Sequence, residues 1–384
     1  MKGILLFASF VRSLSTTTVR LGARIGNATG SAVLKPVPLS AVGLTLGFAA
    51  VLAMTPLKSA LLGKVSGASN DRIAYSLTFT PASDRGDAWH KFAAAGNFDG
   101  LDVARAMAAL GDSKRIVAAF EDMGYRLDML RGGAGTVPRI YLQTLPADLS
   151  DIDSTDLRKA VFIKSMLPPI LRVNEEILDL RESLKSLARD LDAGRALGAD
   201  DLKLIDETAA LYDVKATIPA AARLKELLRR VDIVPPSLAL TQAALESGWG
   251  TSRFAQEGNA LFGQKAFNDT VDSLLARHKK PEDAHRYRSY DSLMSAVRSY
   301  VHNLNSHPAY GEFRAQRAEL RKKAAEGPLD GDNLARTLLR YSERGLSYTA
   351  DIRQMMRSNG MRSYDAARLE ATGTQFASRA PSGA

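Results

Sequence analysis

The hydrophobic residues between about position 154 and position 360 recur mostly at spacings of three and four, the period of an amphipathic helix. The longest tract begins after Ser154, a suitable N-cap, and runs to about Asp192. Pro168 and Pro169 lie inside it and are expected to kink or divide the helix. The same period predicts further helices at about 200–212, 219–231, 292–306 and 334–343.

A shorter helix is predicted from Pro235, with proline in the first turn, where its missing N–H is not needed. Gln242 and Glu246 fall on one stripe of this helix, and Gly248 and Gly250 end it. Glu246 therefore lies in the last turn, where the helix dipole disfavours the charged carboxylate and helps to retain its proton. A general acid needs this property at neutral pH. Alternatively, Glu246 caps the helix or forms a salt bridge and has no catalytic role.

The period changes between Phe262 and Asp291. The segment RYRSY (286–290) alternates as a strand does, and KKPED (279–283) is typical of a turn or flexible loop. This pattern predicts a small β-hairpin lobe that flanks a cleft.

Residues 36–57 contain no charged side chain, and the segment before them is basic and has no acidic residue. As a helix they would just cross a hydrocarbon core of about 30 Å. The positive-inside rule then keeps the leader, residues 1–63, in the cytoplasm and exports the remainder. We expect the exported part either to stay anchored in the membrane by these residues or to be released if the signal is cleaved. A buried soluble helix and an organelle transit peptide are the alternatives.

The rest of the chain is expected to form three parts: a linker and uncharacterised region at 64–136, a folded domain at 137–364, and a disordered tail, rich in Ala, Ser and Gly, at 365–384. The chain has 51 basic and 42 acidic residues, a net charge of +9, which favours anionic partners. The sequence has no basic recognition helix, zinc-finger spacing or aromatic RNA-binding signature, so we expect no nucleic-acid partner. It also lacks cysteine and any HExxH pattern, so neither a metal nor another cofactor is expected.

Residues 231–264, VDIVPPSLALTQAALESGWGTSRFAQEGNALFGQ, together with the later SYTADI (347–352), resemble the glucosaminidase domains of glycoside hydrolase family 73, which cut bacterial peptidoglycan. The resemblance is closer to the bacterial Bax-type proteins of that family and extends over about 137–361. It implies a mainly helical, lysozyme-like fold whose cleft lies between a helical body and a small β lobe. It also implies that Glu246 is the catalytic acid, which protonates the glycosidic oxygen as the C1–O bond breaks.

The resemblance implies further site residues. Tyr348 matches a tyrosine near the cleaved bond, the alternative being a half-buried core residue. Trp249 is expected to form a cleft wall, and Phe262 to contact substrate, although each is also a candidate core aromatic. Asn259 and Gly263 match a strip beside the substrate, where Asn259 either binds sugar or supports a turn.

The second carboxylate is expected on the β lobe. Glu282 is the first choice, and Asp269, Asp272 and Asp283 are the other acidic residues there. The alternative is assistance by the substrate's own acetamido group.

The expected function is an endo-β-N-acetylglucosaminidase that acts on peptidoglycan glycan strands, with residues 36–57 contacting the membrane. The alternatives are a muramidase or lytic transglycosylase on the same fold, or a catalytically silent wall-binding scaffold.

Overall fold

The computed structural model describes residues 111–266, 272–275, 286–324 and 327–371, and helices form most of this part. The predicted mainly helical fold is thereby confirmed. The leader and the expected membrane segment at 36–57 lie outside the described residues. Within them, no helix combines the length and apolar character needed to cross a membrane.

The part of the chain that the structure describes contains eleven α-helices. They are α1 (Ser113–Asp122), α2 (Leu127–Arg131), α3 (Thr155–Asp192), α4 (Ala199–Leu211), α5 (Ala220–Arg230), α6 (Pro236–Ser247), α7 (Arg253–Gly258), α8 (Leu293–Ser306), α9 (Gly311–Ala324), α10 (Gly331–Ala335) and α11 (Leu346–Ser358). Short 3-10 helices occupy Ala147–Asp151, Pro308–Tyr310 and Met361–Tyr364.

Helix α3 begins where predicted, with the Ser154 hydroxyl accepting a hydrogen bond from the Leu157 N–H. Pro168 and Pro169 lie inside this helix and are buried, but they do not divide it. The expectation of a division is therefore wrong, because tertiary packing on both sides of the pair outweighs the local cost of proline. The helix predicted at 334–343 is also largely wrong: α10 ends at Ala335, and turns follow it.

Helix α6 is the centre of the fold. Every residue from Pro236 to Ala244 is buried, and α3, α10, α11 and the 3-10 helix at 361–364 pack around it. A helix that is buried on all sides lacks the polar face that gives a surface helix its amphipathic sequence pattern. Glu246 thus lies at the end of the most enclosed of the described helices.

The start of α6 is held by a distant carboxylate. The N-cap position is Pro235, which makes no side-chain cap. Asp365 takes that role: its two oxygens accept hydrogen bonds from the N–H and the hydroxyl of Ser237, both at 2.8 Å. The neighbouring residues bridge to the start of the domain, where Val137 pairs with Leu369 in a parallel β-bridge. The segment 365–371, assigned to the tail from sequence, is thus hydrogen-bonded to the helical body.

The turn before α6 rests on buried charges. Arg317 of α9 is 0% exposed, and its guanidinium donates to four backbone carbonyls in residues 229–233 and to Asn305. Burial lowers the pKa of Arg317 to about 10, so it stays charged at neutral pH. Burial opposes ionisation of Asp232, but Arg317 and Arg321 together hold the pKa of this carboxyl below its usual value.

A three-stranded antiparallel sheet forms the lobe, in the order β1 (Lys265–Ala266), β3 (Arg286–Arg288), β2 (Ser273–Leu275). Tyr287 of the central strand faces both Lys265 and Leu274. The Tyr290 N–H donates to the carbonyl of Gly258, which joins the sheet to the end of α7. A small β lobe thus follows the ESGWG segment, as the change of period predicts.

Candidate active site

Glu246 lies in the last turn of α6, as the sequence predicts. Gly248 adopts the left-handed conformation, with φ of 60°, and its N–H closes the helix on the Ala244 carbonyl. The Glu246 side chain is half-buried. Burial raises the pKa of the Glu246 carboxyl, while a hydrogen bond from Tyr348 and the charge of Arg344 act in the opposite direction. The net effect is a carboxyl that keeps its proton to higher pH than an ordinary glutamate.

The structure brings Glu246 and Tyr348 into contact. Tyr348 lies on α11 and is 3% exposed, and its hydroxyl donates to Oε1 of Glu246 at 2.7 Å. Burial and the adjacent Glu246 carboxylate raise the pKa of Tyr348, so the phenol stays neutral and remains a donor. The two residues, 102 positions apart, form a hydrogen-bonded acid–phenol pair.

Gly263 lies beside the other carboxyl oxygen of Glu246. Its φ is +62°, a conformation that side-chain-bearing residues rarely adopt, and a Cβ placed there would lie 2.9 Å from Oε2 of Glu246. The GNALFG segment therefore runs directly beside the acid, and glycine is required both by the backbone and by the carboxyl group.

Two further residues belong to this site but were not predicted from the sequence. Gln242 lies one turn before Glu246, and its amide donates from Nε2 to the Tyr348 hydroxyl at 3.0 Å. Tyr300 of α8 donates to Oε1 of Gln242 at 2.7 Å. An amide one turn before Glu246, on the same stripe of α6, is the signal that could have identified Gln242. Nothing in the local sequence pointed to Tyr300.

Aromatic rings form the support beneath this pair. Phe262 is 2% exposed and stacks on Tyr300 with centroids 4.0 Å apart. Tyr341 stacks on Tyr348 at 5.6 Å, and its hydroxyl donates to the Phe262 carbonyl at 2.8 Å. Phe262 was expected to contact substrate. Its ring instead lies in the core, because the stacked tyrosine covers it, and it supports the site from below.

Asn259 and Trp249 have structural partners. Asn259 ends α7 in the left-handed conformation, is 4% exposed, and donates from Nδ2 to the Tyr290 carbonyl at 3.1 Å. Of its two interpretations, the supported turn is the one observed. The half-buried ring of Trp249 packs edge-on against Phe162 at 5.7 Å, with Lys159 Nζ 5.2 Å from its centroid. It therefore packs against α3.

The second carboxylate is not identified among the described residues. Glu282, together with Asp269 and Asp283, lies outside them. Asp272 is exposed, and its backbone carbonyl accepts the Ser289 N–H.

Comparisons with known proteins show which family the chain resembles. Residues 221–361 match the family model described as mannosyl-glycoprotein endo-beta-N-acetylglucosaminidase. Protein bax of Escherichia coli is 35% identical over 217 residues, which cover 55% of this chain and 73% of that protein. Peptidoglycan hydrolase FlgJ of Vibrio parahaemolyticus is 29% identical over 147 residues, 34% of this chain and 46% of that protein. Among solved structures, the peptidoglycan hydrolase from Sphingomonas sp. A1 is 24% identical, with a TM-score of 0.26, and the match covers 44% of this chain and 92% of that one.

The class of protein that these matches define is a glycoside hydrolase of the glucosaminidase type. The matched segment contains the whole hydrogen-bonded group around Glu246. The chain belongs to the Bax-type family of proteins with a glucosaminidase domain.

Proposed function

We propose that this protein is an endo-β-N-acetylglucosaminidase that cleaves peptidoglycan on the reducing side of N-acetylglucosamine, with Glu246 as the general acid. The observation that carries the proposal is the contact between Tyr348 and Glu246 at the end of α6, next to Gly263. A half-buried carboxyl whose pKa is raised, beside a neutral phenol, has the properties that protonation of a leaving group requires.

In the proposed reaction Glu246 transfers its proton to the glycosidic oxygen while the C1–O bond breaks, and the electron pair of that bond stays on the leaving oxygen. Glu246 thereby becomes a carboxylate. The Tyr348 hydroxyl already donates to this group and stabilises the charge that forms, because a hydrogen bond to an ionised acceptor is stronger than one to a neutral acceptor. Water then adds to C1, and the proton that it loses restores the protonated form of Glu246.

Glu282 is our proposal for the second carboxylate, which would assist the attack on C1. In the sequence it stands four residues before Arg286, in the segment KKPED that is predicted to be a turn or flexible loop, and the family resemblance puts the second carboxylate on the β lobe. Glu282→Gln is expected to lose most turnover while retaining substrate binding. Asp283→Asn, at the neighbouring position in the sequence, is the matched control, and full turnover in Glu282→Gln would instead favour assistance by the substrate's acetamido group.

Peptidoglycan as substrate is supported by the relatives that carry the name peptidoglycan hydrolase. The net charge of +9 is compatible with an anionic wall polymer. Both point to the cell envelope as the site of action. Anchoring through residues 36–57, with the domain at 137–364 in the periplasm, completes the proposal.

The experiment that tests the proposal is a digest of purified peptidoglycan by the full-length protein, with the products reduced by borohydride and identified by mass spectrometry. Reduced N-acetylglucosamine ends are expected from the wild type and none from Glu246→Gln. Glu319→Gln, an exposed residue on α9, is the matched control and is expected to cleave normally.

Other products would overturn the proposal in distinct ways. Reduced muramic acid would show a muramidase, and 1,6-anhydro ends would show a lytic transglycosylase. No new ends from the wild type, with wall binding intact, would show a binding scaffold.

A further inference from the structure

The hydrogen bonds around Glu246 form one continuous chain. It runs from Tyr300 to Gln242 at 2.7 Å, from Gln242 to Tyr348 at 3.0 Å, and from Tyr348 to Oε1 of Glu246 at 2.7 Å. Gln242 and Tyr300 are both 0% exposed, so water does not compete for these bonds. The chain links three helices: α6, α8 and α11.

Elementary donor and acceptor chemistry fixes the direction of every bond in this chain. An ionised carboxylate only accepts, so Tyr348 donates its single hydrogen to Glu246. The Tyr348 oxygen then meets Gln242 as an acceptor, which requires the NH₂ end of the amide. The carbonyl end of Gln242 consequently faces Tyr300, whose hydroxyl must donate to it.

The same chemistry decides where Glu246 carries its proton. If the proton were on Oε1, it would have to donate to Tyr348, whose oxygen already accepts from Gln242. The hydrogen of Tyr348 would then have no acceptor. If the Gln242 amide turned over to accept it, the hydrogen of Tyr300 would have no acceptor among the described residues instead. Either arrangement buries an unsatisfied donor and is therefore disfavoured. A proton on Oε2 leaves every bond in place. Oε2 lies beside Gly263 and accepts no hydrogen bond from the described residues.

We propose that Gln242 and Tyr300 are positioning residues which, by holding the Tyr348 hydroxyl hydrogen on Oε1 of Glu246, confine the transferable proton to Oε2. Glu246 then presents one defined oxygen to the leaving group, on the side where glycine replaces a side chain. This inference rests on the proposed role of Glu246 as the acid. Its spectroscopic test requires no substrate, so it can succeed or fail independently of the glucosaminidase assay.

The test is infrared spectroscopy of the protonated Glu246 carboxyl group in the full-length protein. The difference spectrum between wild type and Glu246→Gln isolates its C=O stretch. A single band at the lower frequency of a hydrogen-bonded carbonyl is expected, because Oε1 is the carbonyl oxygen and Tyr348 donates to it. Gln242→Met, with the double variant Gln242→Met, Glu246→Gln as its reference, is expected to show a second band at higher frequency. Methionine has no N–H to donate to the Tyr348 oxygen, and its sulfur is a weak acceptor. A proton on Oε1 can then donate to Tyr348, which leaves Oε2 as a carbonyl oxygen without a hydrogen bond.

Turnover gives a second readout. Gln242→Met is expected to lower kcat about three- to tenfold with KM unchanged, the size of effect of one neutral hydrogen bond. Gln316→Met, which removes a side-chain amide bonded to Asn333, is the matched control, with band and kcat unchanged. Tyr300→Phe provides a second test, including where Gln242→Met fails to fold, and is expected to change the band in the same direction.

A single unshifted C=O band in both folded variants would overturn the inference. An equal loss of turnover in the Gln316→Met control would do the same, because the effect would then be a general loss of packing.

Discussion

Replacing Tyr348 by phenylalanine is expected to move the alkaline limit of activity to higher pH. Glu246 acts in its protonated form, so activity is lost as the pH rises through the pKa of its carboxyl. The Tyr348 hydroxyl, 2.7 Å from Oε1, stabilises the ionised form and therefore lowers that pKa. Without this donor the pKa of Glu246 rises, and the protonated enzyme persists to higher pH.

The size of the effect follows from the contact. A hydrogen bond to an ionised group contributes about 1.5–3 kcal/mol, and about 1.4 kcal/mol corresponds to one pH unit. Because Glu246 is half-buried, solvent screening favours the lower end of this range. The alkaline limb of the profile is therefore expected to move upward by about one pH unit. The maximal rate is expected to fall as well, because the carboxylate formed in the reaction loses its donor.

The assay is the pH dependence of kcat/KM, which reports the ionisation of the free enzyme. Tyr364→Phe is the matched control, since it removes a buried phenol that is bonded to Arg131 and adjoins Asp365, the cap at the start of α6. An alkaline limb that stays in place or moves to lower pH in a folded Tyr348→Phe protein would refute the reasoning. A limb that moves equally in the control would show an indirect effect.

Three other predictions concern the supports of the acid. Gly263→Ala places a Cβ 2.9 Å from Oε2 of Glu246 and is expected to lower kcat about a hundredfold. Turnover measures this loss, and a thermal unfolding curve of the same variant checks that it is folded. Burial raises the pKa of Asp365 to about 6, so the folded state binds this proton more tightly than the unfolded chain. The free energy of unfolding should therefore fall as the pH rises from about 4 to about 6, and Asp365→Asn should remove this slope in denaturant titrations. Arg317→Met is expected to cost about 3–5 kcal/mol of unfolding free energy. Arg357→Met, which removes an exposed arginine paired with Asp332, is expected to cost less than about 1 kcal/mol.

The helical period and local capping predicted the elements that depend on short-range sequence. The start of α3 at Ser154 and the position of Glu246 in the last turn of α6 are of this kind. Helix α9 was not predicted, because its inward positions include Arg314 and Arg317, and a charged residue on the buried face breaks the apolar period.

The contacts that complete the site were beyond local reasoning. Tyr300 meets Gln242 across 58 positions of sequence, and Ser237 meets Asp365 across 128. Such pairs depend on how α8 and the C-terminal segment pack on α6, and no spacing rule contains that information. The resemblance identified Glu246 and Tyr348 as partners of one reaction but gave no reason for the buried amide behind them.

The cap on α6 has a consequence for synthesis. Helices α3 and α5 leave the ribosome before α6, but the carboxylate that holds the first turn of α6 is made 128 residues after Ser237. A nascent chain that has not reached Asp365 therefore lacks the acceptor for the N–H and the hydroxyl of Ser237. The hydrogen bonds between Ser237 and Asp365 can therefore form only after the last part of the domain has been synthesised. The helix that carries Glu246 gains its N-terminal cap late in translation.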